Sequence, residues 1–286
     1  MTTDNNVLYT NRTETGPDFT MDVYLDPFSK RLRVDDYRGN VQSITGRLHE
    51  LAGTHGFTKV FVKSRQEHWQ AFLSLGYMPE GVFKGYFSGS DGYSMALYFT
   101  TERRTSEHWI DEDNILRQVL SLPLKPGAKK LAAPYTIRIA ELYDAEPLAL
   151  LYGTVFPVYP TPMNDPAYIR KVMQEGTVFY VIEEQGRIVS AASAEINMRY
   201  HNAEMTDCAT LPEHRKYGLM RHLIAALEGE LFRRNIYCAY SLARSLSFGM
   251  NAVFHQLGYT YTGRLTKNCN IFDKFEDMSL WVKTLV

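Results

Sequence analysis

Phe72-x-x-Leu75-Gly76-Tyr77-x-x-x-Gly81 recurs in this chain as Phe254-x-x-Leu257-Gly258-Tyr259-x-x-x-Gly263. Leu-Gly-Tyr alone is a common way to stop a helix, because glycine readily takes the left-handed turn that ends one. The agreement, however, extends to the flanking elements. A helix-like run and then a short strand-like run precede both copies if a gap of about four residues is allowed, which surface loops tolerate. The chain therefore reads as half a fold used twice.

The first unit opens with two strand-like runs, Phe19–Leu25 and Lys30–Asp35, joined by the turn Asp26-Pro27-Phe28-Ser29. Val41, Ile44, Leu48 and Leu51 then follow helical spacing up to Gly53 and Gly56. Lys59–Lys63 reads as a strand, Trp69, Phe72 and Leu75 as a helix face, and Val82–Phe87 and Ser94–Thr100 as two more strands around the turn Ser90-Asp91-Gly92. Residues 101–120 are charged and read as helical. The stretch SLPLKPGAKKLAAP carries Pro123, Pro126, Gly127 and Pro134, which marks 121–134 as a linker between a unit at 1–120 and one at 135–286.

The second unit begins with a strand at Tyr135–Ile139 and a helix bearing Leu148, Leu151 and Val155. After the proline-broken loop PVYPTPMNDP comes a short helix near Ala167–Gln174, then strands Thr177–Ile182, Arg187–Ile196 and Ala203–Thr210. Leu219, Leu223, Leu227 and Leu231 form one buried stripe of a further helix. Strand Ile236–Leu242, a helix to Leu257, and strands near Tyr259–Leu265 and Met278–Lys283 close the order, which is that of a mixed α/β fold with a covered sheet.

Basic and acidic residues nearly cancel, 31 against 32, so nothing marks a nucleic-acid backbone or an anionic membrane as the main partner. No apolar run approaches the roughly 20 residues of a membrane span, and the polar start lacks a signal peptide's pattern. Cys208, Cys238 and Cys269 have neither disulfide-framework nor zinc spacing, and the histidines show no H-x-x-x-H pair. The expectation is a cytoplasmic protein with no metal. No feature fixes an oligomeric state.

Chemistry concentrates in Ala203–Met220. A strand runs through a short loop straight into the leucine-striped helix. A helix N-terminus offers unpaired N–H groups and a positive dipole end, suited to a pyrophosphate. Gly218 leaves that approach open, and Arg215 and Lys216 add positive charge.

This stretch resembles the GNAT acetyltransferases, whose signature after this strand is Q/R-x-x-G-x-G/A. Arg215-Lys216-Tyr217-Gly218-Leu219-Met220 matches it except at the last position. Asn251-x-x-Phe254 in the next helix is a second feature; the resemblance places Asn251 beside the cofactor arm and Phe254 near its sulfur. Covering about 135–286, it implies an acetyltransferase fold there, a truncated, degenerate copy before it, and acetyl-CoA as co-substrate. Glu204 stands where some members carry a general base, and Asp207 is expected on the opposite face of the strand. Backbone N–H groups of Cys208, Ala209 and Thr210 are expected to hold the acetyl oxygen and the pantetheine arm. Cys208 is read as a packed residue, since direct attack by an amine needs no acyl-enzyme. Many members donate a proton to the leaving thiolate from a tyrosine at the position of Phe254, which cannot donate.

Over nearly the whole chain the sequence is most similar to the beta-lysine N-acetyltransferases, which implies a small-amine acceptor. Tyr159, Asp207 and Asn270 are the expected acceptor contacts, with Asp273 a further candidate. Another amino acid, a polyamine or a protein lysine remains open as acceptor, as does a non-catalytic acetyl-CoA sensor. The first unit has no Arg-x-x-Gly-x-Gly equivalent before the helix at Val41. It is expected to bind no CoA, and to extend the sheet or shape the acceptor pocket.

Overall fold

The computed structural model describes residues 10–127, 131–271 and 274–285, so Asp273 lies outside the described residues. The first half comprises β1 (Thr10–Thr15), β2 (Phe19–Asp26), β3 (Arg31–Gly39), α1 (Val41–His55), β4 (Lys59–Arg65), α2 (Trp69–Ser74), β5 (Met78–Phe87) and β6 (Ser90–Tyr98). Two helices, α3 (Thr101–Arg104) and α4 (Trp109–Leu120), lead across. The second half comprises β7 (Tyr135–Ile139), α5 (Ala145–Val155), α6 (Pro166–Gln174), β8 (Val178–Glu184), β9 (Arg187–Asn197) and β10 (Asn202–Thr210). After a 3-10 turn at Pro212–Tyr217 come α7 (Leu219–Arg233), β11 (Cys238–Arg244), α8 (Phe248–Gln256), β12 (Thr260–Ile271) and β13 (Lys274–Thr284).

All 13 strands form one sheet, in the order β1-β2-β3-β4-β6-β5-β12-β13-β11-β10-β9-β8-β7. From its centre outward each half repeats the other: β5 with β12, β6 with β13, β4 with β11, β3 with β10. The middle seam is the sequence repeat itself, since Gly81 pairs with Gly263 between antiparallel β5 and β12. A Cβ on Gly263 would lie 2.2 Å from the Glu80 carbonyl oxygen, and one on Gly81 3.2 Å from the Gly263 Cα. The glycines thus let two backbones touch where the halves join.

Helices cover the outer face of each half. α1 buries Ile44, Leu48 and Leu51, and α7 buries Leu219, Leu223, Ile224, Leu227 and Leu231, each against its own half of the sheet. The sheet curls, so strands far apart in the order meet across its inner face. There Tyr200 donates to Asp36 at 2.7 Å, Lys63 reaches the Tyr240 hydroxyl at 3.3 Å, and Arg31 donates to the Asn268 carbonyl at 3.0 Å. Phe83, Tyr86, Tyr240, Leu265 and Leu280 fill the interior between them.

Two elements differ from the sequence expectation. The charged stretch 101–120 is two helices, broken at 105–108, and Val119 of α4 already belongs to the second half's core. The start of the linker is fastened there as well: Leu122 O lies 2.9 Å from His255 Nε2, and Lys125 N donates to Gln256 O at 2.7 Å. β1 went unread because it is a polar edge strand, TNRTET, with almost every side chain exposed and no buried face to impose alternation.

Candidate active site

β10 and β11 run parallel, yet they pair only where Asn202–Glu204 face Cys238–Tyr240. Beyond that point they diverge, leaving a cavity of about 470 Å³ between them. Its walls are Met205–Cys208 and Thr210 of β10, Ser241–Arg244 of β11, and Met250, Val253 and Phe254 of α8. Strand edges that lose their partner carry free N–H and C=O groups, which suits an extended, amide-bearing chain laid between them.

At the mouth, Gly218 has φ 68° and serves as the N-cap of α7 with no side-chain cap hydrogen bond. That left-handed conformation is what glycine is needed for, and it leaves the first N–H groups of α7 without a side-chain acceptor. Arg215, Gly218, Leu219 and Met220 line the cavity there, and Arg215 Nε donates to the Thr210 carbonyl at 3.2 Å. Lys216 and Tyr217 are exposed on the rim, with the ammonium 5.2 Å from the ring centroid. Met220, where the motif has a small residue, packs into the core.

A bulge decides what faces the cleft. Between Thr206 and Ala209, β10 carries one more residue than β9, and Asp207 takes φ 48°. Bulges turn side chains away from simple alternation. Asp207 is therefore not on the opposite face from Glu204, as alternation would have it; both side the same inner cavity. Ser193 Oγ donates to Asp207 at 2.6 Å. Burial pushes the Asp207 carboxyl up to about 6, against hydrogen bonds from Ser193 and Tyr159 that pull it down.

Other expected positions fall as follows. Cys208 and Thr210 line the cleft, whereas Ala209 is buried in the core behind it. Burial drives the Cys208 thiol well above its ordinary range, which rules out a ready thiolate. Phe254 is fully buried on the cleft wall, edge-on to Tyr259 at 5.1 Å. Asn251 does not reach the cleft: its Nδ2 donates to the Arg244 and Ser247 carbonyls, and its Oδ1 accepts from Trp281 Nε1 at 2.7 Å. With both amide hydrogens and one oxygen lone pair engaged, Asn251 ties α8 to β11 and β13.

A second cavity of about 310 Å³ lies beside the first, and Tyr159, Thr206, Asp207 and Leu242 side both. Glu195 and Glu204, directly opposite each other on β9 and β10, form one wall. Across from them the first half contributes Tyr24, Arg31, Arg33, Phe61 and Lys63. Asn270 lines neither cavity; Asn268 and Cys269 take the place expected for it, because β12 shifts register between Leu265 and Cys269. Arg33 and Lys63 were missed by sequence reasoning, since only the curl of the sheet brings them there. Among the described residues no group of three or more His, Cys, Asp or Glu is disposed to hold a metal, and no helix is long and apolar enough to cross a membrane.

A cleft between splayed parallel strands, closed by an uncapped glycine-led helix, suits an extended co-substrate that carries both amides and phosphates. Residues 139–259 match the Acetyltransferase (GNAT) family. The chain is 40% identical to N-acetyltransferase YodP of Bacillus subtilis, over 91% of this chain and 94% of that one. It is 36% identical to a beta-lysine N(6)-acetyltransferase of Methanosarcina mazei, over 87% of this chain and all of that one. A protein of the same name in Methanococcus maripaludis is 32% identical over 91% and 95% of the two chains. Among solved structures, an N-acetyltransferase from Staphylococcus aureus Mu50 aligns in full with 54% of this chain, at 16% identity and a TM-score of 0.48. The chain belongs to the GNAT family and is an N-acetyltransferase, in a family that uses acetyl-CoA.

Proposed function

We propose that this enzyme acetylates the terminal amine of beta-lysine, or of a closely similar diamino acid, by direct attack on acetyl-CoA. The observation that carries the reading is that Asp207 and Tyr159 line both cavities, so the strand-splayed cleft and the charged chamber adjoin at two groups able to move a proton. The names of the relatives at 36% and 32% identity favour the same acceptor. The product would carry one positive charge fewer than beta-lysine, which suits a neutral compatible solute.

The residues present fit the co-substrate. Ser241 Oγ and the Met205 carbonyl close the inner end of the splay by their own hydrogen bond. The strand edges beyond them would pair its amides, and the N-terminus of α7 with Arg215 would take its phosphates. When bound, acetyl-CoA supplies the thioester carbon that the amine attacks. An alkyl ammonium with pKa about 10.4 is about 99.9% protonated near pH 7.4, so a base must free it. Asp207 is assigned that role over Glu204, because it touches both cavities and burial pushes its carboxyl up to about 6. Tyr159 is, among the described residues, the tyrosine lining the cofactor cleft, and burial keeps its hydroxyl protonated. The ammonium's first proton leaves through Asp207 to solvent. After the amine has attacked, the second N–H proton passes to Asp207 while Tyr159 gives its own proton to the sulfur as the C–S bond breaks. Asp207 then restores Tyr159, so that amide, thiol and one released proton result.

Mass-spectrometric acetyl transfer to a panel of free beta-lysine, lysine, plain diamines, spermidine and a lysine peptide tests the reading. Terminal acetylation of beta-lysine with the highest kcat/KM is expected. Preference for a polyamine or the peptide would overturn the acceptor, and CoA binding without any transfer would leave a sensor.

A further inference from the structure

The two halves face each other across the inner cavity with equivalent positions carrying opposite charge. β3 pairs with β4 from Arg31↔Lys59, and β10 pairs with β11 from Asn202↔Cys238. Counting along these registers, Arg33 of the first half stands where Glu204 stands in the second. Both line the same chamber. The catalytic half alone therefore gives only one of its charged walls.

The arginine wall has cationic capacity to spare. Arg31 is bound to Asp26 at 3.0 Å, and Asp35 is shared between Arg33 Nε and Lys63 Nζ, each at 2.9 Å. Lys63 is further held by the Tyr86 and Tyr240 hydroxyls at 3.1 and 3.3 Å. Three cations thus meet two carboxylates on this wall. The Arg33 guanidinium is held over the Tyr24 ring at 4.3 Å and is committed to Asp35 through Nε. Its two terminal nitrogens are the fork that carboxylates prefer.

The opposite wall has the reverse excess. Glu195 and Glu204 are a direct cross-strand pair, an arrangement that repels unless a cation lies between. Burial first, and then Glu204 and Asp207, raise the Glu195 carboxyl above its ordinary range, against Arg33 and Lys63 across the chamber, which pull it down. Asn268, only 1% exposed, sides the same chamber with its Oδ1 lacking any hydrogen-bond partner. A buried amide oxygen left without a donor is costly, and an N–H from a ligand would satisfy it.

We propose that the first half is the acceptor-reading half: Arg33 receives the acceptor's carboxylate, and Glu195 with Glu204 receives its non-reacting ammonium. The reacting amine then extends along β10 to Asp207, three residues beyond Glu204. This rests on the acyl-transfer reading above and assigns the residues that would read the acceptor's carboxylate and second ammonium. A plain diamine would leave the Arg33 fork unmatched.

The test compares a diamino acid with its own decarboxylated diamine, in the wild-type enzyme and in Arg33→Met, which keeps an unbranched stem against Tyr24. In the wild type the amino acid should have the higher kcat/KM. In Arg33→Met that ratio should narrow by roughly 10–100-fold, mainly through KM, as loss of a charge-assisted pair implies. CoA titration and the thermal midpoint check that the variant folds. If it does not, the carboxamide of the same acceptor with the wild-type enzyme removes the charge from the other side and should lose a similar factor. Equal kcat/KM for amino acid and diamine in the wild type, or an unchanged ratio in the variant, overturns the assignment while leaving acetyl transfer standing. Calorimetry with the acceptors and CoA reads the carboxylate contact without turnover. Arg33-dependent binding with no acetylated product would sink the transfer reading and keep this one.

Discussion

The halves share a backbone plan and differ in what occupies its cleft. In the second half β10 and β11 part after Glu204 and leave a cavity. In the first, β3 and β4 part after Val34 and Val62, and Tyr37 fills the gap. Tyr37 is 1% exposed, with its hydroxyl 3.1 Å from His68 Nδ1 and 3.4 Å from Ser64 Oγ while accepting from Arg65 N at 3.2 Å. The helix ends differ too. Asn40 Oδ1 caps α1 by accepting from Gln42 N and Ser43 N, whereas α7 starts at Gly218 with no side-chain cap. A ring in the cleft and an amide on the helix leave the first half with a packed core where the second has an open cavity.

That contrast can be broken at several points. The largest effect belongs to Asp207→Asn, which should lower kcat/KM at neutral pH by about 10²–10⁴-fold and spare CoA binding. The base works only when ionised, so wild-type kcat/KM should fall as pH drops through about 6, and the variant should lack that limb. If Glu204→Gln instead abolishes the limb and Asp207→Asn keeps it, the base is Glu204. Next, Tyr37→Ala should cost about 3–5 kcal/mol in denaturant unfolding. Cys208→Ala, at the corresponding place in the open cleft, should cost less than about 1 kcal/mol. Similar values for the two would mean that the clefts are equally packed.

At the seam, Gly263→Ala should destabilise by about 1–3 kcal/mol and Gly81→Ala by less, because only the former drives a Cβ into backbone at 2.2 Å. Gly218→Asp should weaken CoA binding roughly tenfold or more, by setting a negative charge at the helix N-terminus where phosphates belong. Titration of the wild type should give one CoA per chain. Two would show that Tyr37 does not close the first cleft.

Much of this was legible in the sequence because it rests on local signals. The helix-stop repeat, the leucine stripe and the strand–loop–helix around Gly218 are each set within a dozen residues. What stayed hidden depends on geometry that pattern does not encode. Strict alternation put Asp207 on the wrong face, because a one-residue bulge is invisible until the partner strand is placed. Asn251 has the right residue type and spacing, but Trp281, some 30 residues on, claims its amide oxygen. Arg33 reads as an ordinary strand charge until the sheet curls and sets it against Glu204.

The Gly81–Gly263 contact relates the two copies by a rough two-fold, and the inner chamber lies where equivalent strands confront each other. A chamber with identical walls would admit a linear molecule with an amine at each end in either direction, and both ends would meet the reactive carbon equally often. Arginine at one of the two matching positions and glutamate at the other removes that degeneracy. On the proposed assignment the pocket has a head and a tail, and regiochemistry would follow from which way round the guest can lie: a molecule whose carboxylate is moored at Arg33 would present only its far amine to Asp207.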